Sequence, residues 1–158
     1  MAYNAKEVGA AVRVASASVD QEIRETHPTT VAMLNARGVQ LGRERSQPIS
    51  EDLISGSDLV LVMTAEHARA VVGRYPMART KVFLLEHLAA EIQPAEDTDT
   101  ADSWIGRVQT MRRDYASGDQ WDIQDPISES EAVYKAVEVQ IDNATMWLAT
   151  VISTLPAG

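Results

Sequence analysis

Asp58-Leu59-Val60-Leu61-Val62-Met63-Thr64 places five consecutive apolar residues between an aspartate and a threonine. A short continuous apolar run of this kind fits a strand buried on both faces, as in a parallel sheet. Thr64 is a good helix N-cap, Glu66 falls in the first turn, and Ala68, Val71, Val72 and Tyr75 follow at helical spacing. The strand therefore runs directly into a capped helix, which Pro76 closes. Lys81-Val82-Phe83-Leu84-Leu85 is the next strand. Strand, helix and strand in this order imply a right-handed crossover and a parallel pair.

Upstream, Val12-Arg13-Val14-Ala15-Ser16-Ala17 alternates and reads as a short strand. Met1 to Ala10 has weak helical spacing through Ala2, Ala5 and Val8. Pro28 opens a helix carrying Val31 and Leu34, and Gly38 ends it. Ser50 caps a short helix that stops near Gly56. Downstream, Glu91 to Asp102 carries Pro94 and five acidic residues and reads as a mobile segment. A helix is expected from about Ser103 to Tyr115, with Trp104, Ile105, Val108 and Met111 on one side. Ser128 and Glu131 have capping-box spacing before a long last helix. Its apolar stripe is Val133, Val137, Ile141, Ala144, Leu148, Val151 and Leu155. Residues 1–158 read as a single α/β domain with a three-layer parallel sheet.

Composition narrows the function. The 158 residues hold 14 Lys+Arg against 23 Asp+Glu, a formal net charge of −9. That balance disfavours nucleic acid and anionic membranes as partners. Apolar residues make up 45% of the chain, enough for a packed core, but no run is long enough for a membrane span. A cytoplasmic location is the default expectation. Cysteine is absent, which excludes disulfides, thiolate metal sites and a cysteine nucleophile within these residues. The histidines, His27, His67 and His87, have no metal-ligand spacing, so neither a metal nor a cofactor is expected.

Four segments together resemble the low-molecular-weight protein tyrosine phosphatases, which share their fold with a class of arsenate reductases. They are Val14-Ala15-Ser16-Ala17, Arg37-Gly38-Val39 with the later Arg45-Ser46, Asp58 to Thr64 with His67, and Asp125-Pro126 with Tyr134. In that family a first strand runs into a Cys-x5-Arg loop, whose backbone N–H groups cradle phosphate while the thiolate attacks phosphorus. No such loop occurs in these residues, and Met1-Ala2 resembles the start of the helix that follows it. The resemblance thus implies the family fold with its usual first strand absent. That strand would lie between those matched by residues 12–17 and 58–63. Two repairs are expected: closure into a three-stranded sheet, or a second polypeptide in the gap, most simply a second copy giving a homodimer.

By the same resemblance Asp125 is the candidate general acid, with Asp122 three residues earlier as a second carboxylate. His67 sits in the first turn after the central strand, where such sheets bind ligands, and is a candidate base. Trp121 and Tyr134 flank the acidic loop and can stack on a planar ligand. Ser16 and Arg45 match the Ser and the basic residue of the family and complete the candidate ligand-binding set. His27 reads as structural and His87 as exposed. Each assignment has a plain alternative: an acidic turn, a capping histidine, a core tyrosine, solvated arginines.

Three functions are consistent with this reading. One is a degenerate phosphatase, without the catalytic cysteine, that acts by binding or assembly. Another is a repurposed enzyme doing acid–base chemistry on a small molecule with Asp125. The third is a tyrosine phosphatase whose catalytic loop lies in sequence missing here.

Overall fold

The computed structural model describes residues 12–20, 25–40, 46–112, 114–115 and 120–156. Its helices and strands follow in the order α1 (Pro28–Ala36), α2 (Glu51–Ser55), β1 (Val60–Val62), α3 (Ala65–Arg74), a 3-10 turn (Pro76–Thr80), β2 (Val82–Leu84), α4 (Leu85–Glu91), α5 (Ala101–Thr110) and α6 (Glu131–Thr154). β1 and β2 pair in parallel, with Val60 opposite Val82, Leu61 opposite Phe83 and Val62 opposite Leu84.

Alternation along these two strands builds two cores. Val62, Val82 and Leu84 pack with Ile54 of α2 and Ala65, Ala68 and Val71 of α3, and Val60 joins them. Leu61 and Phe83 point to the other face, against Trp104 and Val108 of α5 and Val151 of α6. Phe83, Trp104 and Val108 are essentially inaccessible to solvent. Successive strand residues thus serve opposite faces, which is why the run from Leu59 to Met63 is apolar throughout. The result is the expected three-layer arrangement, with helices on both sides of a parallel sheet and a long C-terminal helix.

Predicted caps account for several boundaries. Ser50 Oγ accepts from Leu53 N–H at 3.3 Å and starts α2. Thr64 Oγ1 accepts from His67 N–H at 3.2 Å and starts α3. Gly38 follows α1 with φ +73°, a left-handed conformation that suits glycine.

Three expectations are corrected. Val12 to Ala17 does not form a strand. Arg13 to Ala17 are exposed, so the alternation has no apolar face to bury. Of residues 12–20 only Ser18 pairs, bridging to Pro48 through Ser18 N–H to Gln47 O at 2.8 Å and Ile49 N–H to Ser18 O at 2.9 Å. Consequently the sheet of the described residues has two strands, and the three-stranded closure is not formed among them. The capping residue of α6 is Ser130, not Ser128, because Ser128 sits at φ +69° in the preceding turn. The weak helix of Met1 to Ala10 lies outside the described residues.

The acidic stretch before α5 contains a buried carboxylate. Asp99, 8% exposed, accepts from Glu96 N–H at 2.8 Å, from Ser103 Oγ at 3.1 Å and from Arg107 Nη2 at 2.7 Å. The backbone N–H of Glu96, against the opposing cost of burial, and then Arg107 and Ser103 hold its carboxyl below the ordinary 3.8.

Candidate functional site

The acidic loop after α5 is stitched to the C-terminal end of β1. Ile123 N–H donates to Met63 O at 2.8 Å, and the Ile123 side chain is 2% exposed against Leu85, Val137 and Ala144. One residue earlier, Asp122 Oδ1 accepts from Ala65 N–H at 2.6 Å. Ala65 is the first residue of α3, whose opening amides lack intrahelical partners. A carboxylate there makes a charge-assisted hydrogen bond and faces the positive end of the helix. Asp122 therefore helps to cap the start of α3.

Asp125 stands differently. It is exposed, and its Oδ1 accepts from Ile127 N–H at 2.9 Å, the local turn that an Asp-Pro pair favours. Glu129 N–H closes the next turn on Pro126 O at 3.0 Å, and Ser130 then caps α6. One carboxylate of the pair anchors the loop, and the other presents itself to solvent on it.

The remaining candidates divide. His67 is half-buried in the first turn of α3, the same turn that Asp122 caps. Trp121 packs with Tyr115 and the core beneath α2 and α3, its ring 6.1 Å from that of His87. Tyr134 is 8% exposed in the first turn of α6, its hydroxyl 3.4 Å from His27 Nδ1. Ser16 is exposed, and its carbonyl accepts from Gln47 Nε2 at 2.8 Å. Arg45 lies outside the described residues. At the end of β1, Asp122 thus meets the first turn of α3, which carries His67, whereas Asp125 contacts only its own turn and Tyr134 lies on α6 against His27.

His87 is not exposed as expected but 5% accessible, with Nδ1 2.9 Å from the Tyr115 hydroxyl. That hydroxyl also accepts from Leu84 N–H at 3.2 Å on the outer edge of β2. This buried pair escaped sequence reading because α4 follows β2 without a break. The spacing of Leu85, Leu88, Ala89 and Ile92 was the available signal.

On the other edge, Val60 N–H donates to Lys81 O at 2.8 Å, so Val60 and Val62 turn their main chain toward β2. Leu61 turns its main chain away. No hydrogen bond from another described residue reaches Leu61 on that side.

A parallel α/β unit with an acidic loop at the carboxyl end of β1 is in keeping with the phosphatase resemblance of the sequence. The low molecular weight phosphotyrosine protein phosphatase family model matches residues 1–104, and the chain belongs to that family. It is 25% identical over 104 residues to a protein-arginine-phosphatase of Bacillus subtilis (strain 168), covering 66% of this chain and 51% of that protein. The chain therefore spans about half the length of this curated relative. The YwlE arginine phosphatase from Geobacillus stearothermophilus superposes with a TM-score of 0.65 at 23% identity, over 89% of this chain and 73% of that one. Vibrio vulnificus Wzb, solved with benzylphosphonate, gives 0.57 at 26% identity, over 87% and 77%. The Asp122–Asp125 loop lies beyond the residues that the family model matches.

Proposed function

We propose that this 158-residue chain is a phosphatase-fold protein that acts by binding or assembly rather than by phosphoryl transfer. One observation carries the reading: the family reaction needs a thiolate nucleophile, and no cysteine occurs in these 158 residues. Asp125 alone can donate a proton to a leaving group but cannot form the covalent intermediate. Asp122 is already engaged with the start of α3, which counts against a two-carboxylate acid–base site.

Among the described residues no strand pairs with β1 on its Leu61 side, which supports assembly. A sheet of only the two described strands is marginal alone, and an edge main chain is a template for another strand. A second copy of the chain is the simplest supplier. Sedimentation velocity of the purified chain over a wide concentration range tests this part. A reversible dimer is expected. A single chain mass at every concentration overturns assembly between copies.

A further inference from the structure

α1 has a different footing from the other long helices. None of its nine residues, Pro28 to Ala36, is buried, whereas α3, α5 and α6 each contribute to a core. Among the described residues two polar clasps join it to the first half of α6, alongside the half-buried Val31, Met33 and Leu34. At its start, His27 is the N-cap residue, and its Nδ1 accepts from Thr29 N–H at 3.4 Å. The same nitrogen lies 3.4 Å from the Tyr134 hydroxyl, and the two rings stack with centroids 6.3 Å apart. At its end, Arg37 Nη1 contacts Asp142 at 2.9 Å and Glu138 at 3.4 Å. Asp142 and Glu138 lie one helical turn apart on α6. The Arg37 side chain is 47% exposed, so water and salt reach this clasp.

We propose that α1 is a strap that opens as a unit while the two cores stay folded, and that its opening uncovers Tyr134. Elements whose apolar side chains are only half-buried and whose hydrogen bonds are exposed open at lower free-energy cost than a core. Tyr134 is the residue whose exposure changes, because His27 of the strap covers its hydroxyl end. It stands in the first turn of α6, immediately after the Asp125 loop. Opening therefore alters the surface beside that loop without disturbing β1 or α3.

Native-state hydrogen exchange read by NMR tests the strap, with nitration of Tyr134 by tetranitromethane as a second readout. In the unaltered chain, amides of Ala32 to Ala36 are expected to exchange at least tenfold faster than core amides such as Val71. Arg37→Ala is expected to speed the strap amides a further two- to fivefold, the range set by an exposed ion pair, and to leave Val71 unchanged. Arg37→Lys restores most of the difference. Tyr134 nitration rises in step with strap exchange. Strap amides that exchange only with Val71, at the rate of global unfolding, overturn the proposal. Faster strap exchange with unchanged nitration of Tyr134 overturns the uncovering step.

Discussion

Asp122→Ala is the substitution that most sharply separates an anchoring carboxylate from a catalytic one. In the structure Asp122 Oδ1 accepts from Ala65 N–H at 2.6 Å, at the first residue of α3. The substitution removes that acceptor and leaves the amide to water or to nothing. Loss of a capping acceptor costs about 1–2 kcal/mol, and favourable interaction with the helix dipole contributes at the upper end. For a chain of this length each kcal/mol moves Tm by about 2–4 °C. Asp122→Ala should therefore lower Tm by about 2–8 °C. Asp122→Asn keeps an oxygen acceptor without the charge and should lose less than half as much. Asp125→Ala removes only an exposed turn contact to Ile127 and should cost less than about 1 kcal/mol. Thermal unfolding followed by circular dichroism gives all three values. Equal loss for Asp122→Ala and Asp125→Ala, or none for Asp122→Ala, refutes the anchoring role.

Phe83 has no exposed surface, and Phe83→Ala should cost about 3–5 kcal/mol, seen as a large drop in the urea midpoint. Phe83→Leu fills most of the space and should lose much less. Asp99 has a lowered carboxyl pKa in the folded chain. Its contribution is therefore complete above the ordinary 3.8 and is lost as pH falls through the lower folded value. A series of urea titrations from neutral pH into acid should show this fall, and Asp99→Asn should flatten it. Tyr115→Phe leaves Leu84 N–H without the hydroxyl that covers the β2 edge and should cost about 1–3 kcal/mol. Faster exchange at the Leu84 amide than at Phe83 would mark the site of the loss.

The crossover of β1, α3 and β2 was legible because its signals agree: a continuous apolar run, a threonine cap and a closing proline. The same agreement identified α6 through its long apolar stripe. The strand expected at Val12 to Ala17 failed because alternation states only that a segment can pair. Pairing also requires a neighbour and an apolar face, and Arg13 to Ala17 bury none. The cap of α6 was misplaced by two residues because Ser128 and Ser130 are both serines, and only the backbone turn at Ser128 separates them. At the candidate site, Asp122 and Asp125 look alike in sequence. Their different duties arise from a contact to Ala65 that spans 57 residues, which no local pattern encodes. The burial of His87 likewise depends on Tyr115, 28 residues away.

These 158 residues belong to the phosphatase family, and the proposal is that they perform no phosphoryl transfer. Release of inorganic phosphate from p-nitrophenyl phosphate by the purified chain measures this most directly, with Asp125→Ala run beside it. Release equal to buffer is expected for both proteins. Release above buffer that Asp125→Ala abolishes would contradict the proposal.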